Sequence, residues 1–537
     1  MAALSLLMAA CSNDDNEVAK QQAEQPDNNM ITITAQLAPK SSNAKTRAVT
    51  DDGTNIVVDW AVDEHLAILY EVSSTKYAAD ARVTAVDGSG NATIEFNVEG
   101  GTADNTACTI VYPLSAAKDD HSGVKDAVTL LGTQDGTLNA DLDVRVGAGK
   151  IQTSTPGLDV TTQPAAQFAI WKLTLNQTAK DLYITAGGEF LAGATLASEG
   201  TEFTVAVPAV DSKTVAVVAT DGSSNCWSYS KDGVSLAVGS YYRSSPTMTA
   251  LDGDNTKGVY KMTGAGEIPD GKTVVLSGVT ISGDQIACSG DATMILLGAN
   301  TVTAAANTAA IEIGGSGTTL TITGSGSLTV KGGNYAAAIG TGYANNASVA
   351  GGNIEINGGT ITATGGQSSA AIGTGYAYYN GSNKCGTITI NGGSVTAYGG
   401  YAGIGTGGAN QSSSNECGDI TINGGTVTAT GGQRSAAIGT GYANNSGSNK
   451  CGTITISTGV TSVTATLGNR SPNSIGKGFA ANNGTQACGT ITFGSAQVFN
   501  GTDWSPSPMV DGSYGGLTLA ITTTTYTDDT WTLTPAP

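Results

Sequence analysis

The chain has 537 residues, with 74 glycines against only 13 prolines, and its 44 acidic side chains outnumber 24 basic ones for a net charge of −20. Glycine at about twice its usual share, with so little proline, fits neither collagen nor a linker unless it has a period. The acidic balance argues against nucleic acid or an anionic membrane as partner, no run reaches the ~18–20 apolar residues of a membrane span, and two histidines 56 positions apart, His65 and His121, leave no histidine-based active site or zinc site.

Residues 1–11, MAALSLLMAAC, are a short apolar run ending in small residues and a cysteine. The run resembles a bacterial lipoprotein signal with Cys11 as the lipidated residue, and the lack of a basic stretch before it points to a truncated start. SNDDNE at 12–17 is similar to the surface-export signal of outer-membrane lipoproteins, and 12–29 reads as a tether without apolar period. From residue 30 the pattern changes: Ile31, Ile33, Ala35 and Leu37 alternate with Thr32, Thr34 and Gln36, which predicts a half-buried strand. A polar loop at 41–55 leads to Trp60 and a second alternation, Leu66, Ile68, Tyr70. Further strands are expected at 91–98, 108–112, 168–175, 181–185, 202–208 and 214–219. No window sustains a helical period, so two β-sandwiches are expected, at 30–150 and 151–250.

Trp60 followed by DEHLAILY, VYP at 111–113, GTQDGTL at 132–138, FAIWKLTL at 168–175, AVPA at 206–209 and VGSYY at 238–242 occur in an order that resembles the fimbrillins, the pilins of type V pili. The resemblance covers about 30–250. It implies two transthyretin-like sandwiches, a lipoprotein precursor, and pilin partners joined by strand exchange after an arginine-directed protease trims the first strand. KTRAVT would place that cut between Arg47 and Ala48. Loss of 30–47 would bare a groove that a strand from another chain could refill. The other reading is that Arg47 is a solvated loop base.

After a linker at 251–272, a period sets in over 273–495. Ile354, Ile388, Ile420, Ile454 and Ile491 are spaced 34, 32, 34 and 37 residues apart, and Ile339, Ile372, Ile404, Ile438 and Ile475 are each followed by glycine. With looser copies upstream this makes about eight units, each with three short strands, such as DITI, TVTAT and AAIGT in 417–441, and a variable polar loop. Three strands and a turn at each corner make a coil of a parallel β-helix, similar to carbohydrate-binding β-helix domains. One copy cannot bury its apolar face, so repetition builds the core; eight coils at about 4.8 Å give a rod of roughly 38 Å.

Cys385, Cys417, Cys451 and Cys488 recur at one register. In-register neighbours about 4.8 Å apart fall inside the disulfide range, but parallel Cβ vectors favour contact over bonding geometry, so both buried thiols and disulfides stay open. A second column, Tyr343, Tyr376, Tyr442 and Phe479, is interrupted by Gly408 and lies beside Asn-rich loops; Tyr378, Tyr379, Tyr398 and Tyr401 add rings. Rings with neutral amides suit a sugar platform, and rings that cover the loop base are the alternative. Outward threonines such as Thr387, Thr389, Thr453 and Thr455 resemble the files of ice-binding proteins, though β-propensity alone selects threonine there.

Catalysis on polysaccharides needs paired carboxylates or a metal-binding acid cluster. The acids of the repeats, Asp284, Asp291, Glu312, Glu355, Glu416 and Asp419, put no two on one coil face, so neither catalytic residue, metal nor cofactor is expected. DGDN at 252–255 has the oxygen-rich look of a calcium loop but reads better as a turn. The tail, 496–537, is expected to cap the rod or to act as a donor strand. The sequence points to a cell-surface adhesin or pilus tip or accessory subunit, held at the outer membrane by lipid or in a pilus, whose β-helix contacts glycans. A polysaccharide-degrading β-helix and a purely structural pilus subunit are the alternatives.

Overall fold

The structure, a computed structural model, describes residues 30–40, 50–51, 56–57, 59–118, 121–125, 127–132, 134–222, 225–523 and 529–536. Cys11, the tether at 12–29 and the Arg47–Ala48 bond lie outside the described residues. The architecture is all-β: two antiparallel, sandwich-type units followed by a parallel β-helix.

The first unit contains β1 (Met30–Leu37), β2 (Thr50–Asp51), β3 (Ile56–Val57), β4 (His65–Val72), β5 (Thr75–Val86), β6 (Ala92–Glu99), β7 (Thr106–Tyr112), β8 (Arg145–Gln152) and β9 (Gly157–Ala166). Seven form one sheet in the order β1-β6-β5-β4-β7-β8-β9, with β2 and β3 paired apart. The alternation of β1 is realised: Ile33, Ala35 and Leu37 are buried, Thr32, Thr34 and Gln36 exposed. Its inward side chains pack in one core with Ile94, Phe96 and Val98 of β6. The two outer strands approach each other, because Ala38 N–H, just past β1, donates to Gln163 of β9 (3.1 Å), so the sheet curls over its own core. The β8–β9 hairpin carries this sheet to Ala166, past the expected boundary at 150; TSTPG at 153–157 is a hairpin tip rather than a link between units.

Lys40, three residues past β1, sits in a buried cage. Its ammonium lies 3.1 Å from Glu64 and 3.7 Å from Asp143, over the rings of Tyr112 (3.4 Å) and Trp60 (4.2 Å). Trp60 donates to Ala38 O (2.8 Å), Tyr112 O–H to Glu64 (2.7 Å), and Arg145 to both Asp143 and Lys40 O. Burial outweighs the nearby carboxylates and lowers the Lys40 pKa to about 8.

The second unit has β10 (Ala169–Ala186), β11 (Glu189–Val207), β12 (Val210–Thr220), β13 (Cys226–Leu236), β14 (Tyr241–Ser244) and β15 (Thr249–Ala250), in the order β11-β10-β12-β13-β15 with β14 parallel to β10. The two strands expected at 168–175 and 181–185 are one strand, β10, whose register shifts between Thr174 and Asp181. This unit docks on the rod. Tyr183, Ala216, Val218 and Cys226 pack against Val259, Val275, Ile295 and Leu297 on the outside of the first coils. Thr293 donates to Gly188 O (2.6 Å) beside a Thr185–Thr273 hydroxyl pair (3.0 Å). KTVVLS and ATMILL contain the apolar runs VVL and MILL, without alternation, because both faces are covered, one by the rod core and one by this sheet.

In the rod, nine parallel strands from Val259–Met262 to Ile491–Phe493 form one face, eight from Gly266–Ile268 to Ile475–Gly476 a second, and seven from Thr280–Ser282 to Val460–Thr466 a third. The stack therefore starts at Val259, inside the segment expected as a linker, where VYKM carries none of the repeat's glycine or isoleucine marks. Inward residues make one continuous core of Ile, Val, Leu and Ala. The variable loop is not irregular: from Ala344 on it holds two more parallel ladders, Ala344–Asn345 to Ala443–Asn444 and Ser348–Ala350 to Thr485–Cys488, which fold over the second face as a flap. The tail caps the rod. Ala496–Phe499 and Asp529–Pro535 pair antiparallel with the last coil, Leu517–Thr523 pairs with Asp529–Pro535, and Phe493, Phe499, Trp504 and Trp531 plug its end.

The Lys40 cage makes a pH prediction. A lysine whose folded pKa lies below its unfolded value of about 10.5 contributes more stability as pH rises from 8 towards 10.5, and loses it as pH falls through 8. Between pH 8 and 9.5 the parent should gain about 1.5 kcal/mol relative to Lys40→Met. Denaturant titrations of both chains at the two pH values check this; parallel pH dependence would mean that the amine is not desolvated.

Candidate functional site

The corner IGTG organises the edge that carries the aromatic file. Its first glycine has positive φ (Gly373 and Gly405 at 129°), and a Cβ at Gly373 would stand 1.9 Å from Gly405 O, so no side chain fits. Its threonine hydroxyl accepts the next coil's second glycine N–H: Gly375 to Thr341 (3.1 Å), Gly407 to Thr374 (2.9 Å), Gly441 to Thr406 (3.0 Å), Gly478 to Thr440 (2.8 Å). The flap is then tied down by amides: Asn383 donates to Gly342 O (2.8 Å) and accepts from Thr341 (2.6 Å), and Asn415 donates to Gly408 O (2.6 Å).

The cysteine column lies on the inner side of this flap. Cys385, Cys417, Cys451 and Cys488 are paired in register, buried, and free thiols. Of the two states left open by spacing, the structure has the thiol column. The neighbouring Cys417 thiol and burial hold the Cys385 thiol well above its usual range. Cys108, Cys226 and Cys288 are buried thiols too. Among the described residues no group of three His, Cys, Asp or Glu suits a metal ion. The carboxylates of DGDN are turned onto Lys257 (Asp252, 2.6 Å) and Thr256 (Asp254, 2.6 Å).

The predicted ring file exists, but its rings stack on one another. Tyr343 and Tyr376 lie parallel with centroids 5.9 Å apart, Tyr442 and Phe479 at 6.2 Å. The gap at Gly408 is filled: a Cβ there would meet the Tyr401 ring at 2.3 Å, and Tyr401 contacts Tyr442 at 5.9 Å. This coil is shorter by two residues before its IGTG corner (GGYAGIG against GGQSSAAIG), which brings Tyr401 to the vacant place. Tyr343, Tyr376 and Tyr442 are half-buried, and burial pushes the Tyr376 hydroxyl up to about 12. Ring faces are therefore largely spent on neighbours; exposed aromatic surface is found at Tyr379 (54 %), Tyr398 (46 %) and Phe479 (39 %).

Two partners in the edge escaped sequence reasoning. Tyr335 joins the upper rings (5.0 Å to Tyr343, 5.6 Å to Tyr376), and Arg434 lies over Tyr442 (5.0 Å) while donating to its hydroxyl (3.0 Å). Both stand four residues before a repeat isoleucine, Ile339 and Ile438, and that shared offset was the available signal.

The acids are all engaged. Asp291 accepts from Thr319 N–H (2.8 Å) and Asp419 from Thr453 N–H (2.7 Å), each capping the next coil. Asp284 accepts from Gln285 N–H, Glu312 from the Gln285 amide and Glu355 from the Asn391 amide. Glu416 bridges Lys384 (3.2 Å) and Lys450 (2.9 Å), which hold its carboxyl below the usual range.

The family described as Beta helix repeat matches residues 354–376, 388–408 and 420–442. No curated protein sequence matches the chain. Among solved structures, a "putative cell adhesion protein" from Bacteroides uniformis is 9 % identical, covering 42 % of this chain and 97 % of its own, with a TM-score of 0.25. A fimbrial assembly protein from Parabacteroides distasonis is 12 % identical over 40 % of this chain and 90 % of its own, with a TM-score of 0.24. Likeness at this level carries no argument about this chain.

The buried thiol column should be chemically silent in the folded protein, because burial shuts the reagent out and Cys385, Cys417 and Cys451 are held well above the usual thiol range. Iodoacetamide at pH 8 is expected to leave Cys385, Cys417, Cys451 and Cys488 unmodified until denaturant is added, read by peptide mass. Native-state labelling of any of them would mean that the flap opens.

Proposed function

We propose that this chain is a non-catalytic cell-surface adhesin or pilus accessory subunit, whose two sandwich units carry a rigid β-helix and whose flap edge contacts glycans. The observation that carries this reading is the division of labour in the repeats. Every acid between 273 and 495 is committed to a backbone, amide or lysine partner, while the accessible edge presents rings and neutral amides. The first pattern leaves no free carboxylate pair for bond cleavage, and the second is the chemistry that grips sugar C–H faces and hydroxyls. Docking of the second unit on the coils fixes the edge relative to the stalk. A glycan-array screen of the full chain with a reducing-sugar assay tests the reading. Retention of at least one glycan without release of reducing ends is expected; steady release would make it an enzyme, and no retention would remove the glycan.

The fimbrillin resemblance of 30–250 adds a second part: a lipid anchor on Cys11 and pilin partners joined by exchange of β1. One feature favours it. Among the described residues β1 is an edge strand that pairs with β6 alone, and its departure would uncover Ile94, Phe96 and Val98. Treating cells that display the chain with an Arg-specific protease tests both ideas. The fragment ending at Arg47 should stay with the outer membrane, unless Cys11→Ser releases it, while the remainder forms SDS-resistant oligomers with a partner pilin. A soluble fragment sinks the anchor, and a clipped chain that stays monomeric sinks the exchange.

A further inference from the structure

We propose that Tyr378 and Tyr379 are the ligand-reading residues of the edge and that their ligand is an uncharged polysaccharide; this rests on the adhesive reading above. The columns of the repeat carry the argument. The position of Tyr379 is held in other coils by Asn346, Gln411, Asn445 and Asn482, and all five residues have positive φ, between 47° and 55°. Asparagine tolerates this backbone region; a bulky aromatic residue does not. The position of Tyr378 is held by Asn345, Asn410 and Asn444. One coil thus replaces two turn amides with two rings, one of them in a conformation that disfavours it.

Neither packing nor the turn accounts for the exchange. Tyr379 is 54 % exposed, and the ring contact it makes is to Tyr378, at 5.6 Å. Tyr378 in turn lies 5.8 Å from Tyr376, which leans on Tyr343 and Tyr335. Five rings make a continuous patch that ends in solvent at Tyr379. The lower rings differ: Tyr442 is in contact with Arg434, Phe479 and Tyr401. The open end of the patch is flanked by amides, with Asn345 and Asn346 one coil before and Asn410 and Gln411 one coil after.

Charge selects the ligand class. Residues 273–495 hold six acids and six bases, a formal charge of zero within a chain at −20. On the flap, Glu416 is shared between Lys384 and Lys450 in a ladder. The net acidity of the chain disfavours a uronate or sulfate, and rings with amides bind sugar rings without a charged partner.

The test uses substitutions that the repeat itself supplies. In the full chain, Tyr378→Asn with Tyr379→Asn restores the residue type of neighbouring coils, so folding is secured and Tm should equal or exceed the parent's. Affinity electrophoresis in laminarin, xyloglucan and mannan, against polygalacturonate and hyaluronan, reads binding. The parent should be retarded by at least one neutral polymer and by neither acidic one, and the double variant should bind roughly tenfold more weakly or not at all. Undiminished binding by the variant, or retardation confined to the acidic polymers, overturns this assignment and leaves the adhesive reading standing. A parent chain that no polymer retards overturns both.

Discussion

Everything in the rod follows from one constraint: each residue has a near-identical neighbour one coil away, about 4.8 Å along the axis. A column must therefore be compatible with itself. Isoleucine, valine and alanine meet this by packing, and they fill the core columns. Glycine meets it where one coil's backbone runs into the next coil's carbonyl, as at Gly373 and Gly405. Polar columns run inside as well, where threonine hydroxyls take the next coil's glycine N–H and Asn383 and Asn415 donate to glycine carbonyls. A column of like charge would repel itself, and the exposed one on the flap alternates Lys384, Glu416, Lys450. Acids elsewhere appear singly and cap the following coil.

The same constraint explains how rod and stalk are joined. A self-compatible outer face of threonines offers nothing to a neighbour, so a rod of pure repeats would stand alone. The first coils break the pattern on their outer side with Val275, Ile295 and Leu297, and the second unit covers that strip. Burying these three against Tyr183 and Val218, at about 1.5–3 kcal/mol each, is enough to fix one body on the other. Sequence departure from the repeat here marks an interface, and the departure is apolar because its partner is part of the same chain.

Periodicity made the coils legible before any coordinates: the isoleucine and glycine marks gave the strands, the inward faces and the cysteine register. The β1 alternation was equally plain. What the sequence hid were features that exist only between copies. The flap strands are two to four residues long, and nothing in ANNAS or AYYNGS reads as β until five coils are aligned. VYKM at 259–262 forms a coil strand through its partner, Thr273–Leu276, without the repeat's own marks. TSTPG at 153–157 is a hairpin tip that local chemistry cannot tell from a linker. At the edge, the ring file was visible but its geometry was not: rings one coil apart stack, so a column of aromatics consumes the surface that it advertises in sequence.

This turns the repeat into its own control. Where a residue agrees with its column, the column accounts for it, and stacked Tyr343, Tyr376, Tyr442 and Phe479 need no ligand to explain them. Gly408 with Tyr401 is a departure that restores the column by another route. Tyr379 is a departure that restores nothing. It adds apolar surface to solvent and places a bulky side chain in left-handed backbone, a conformation worth about 1–2 kcal/mol against it. The neighbouring amides would remove that cost without loss to the fold, since four other coils use them. A cost that the fold could shed but keeps is best assigned to something outside the fold. In a rod without a free carboxylate pair or net charge, that leaves contact with an uncharged surface as the chemistry Tyr379 is placed to perform.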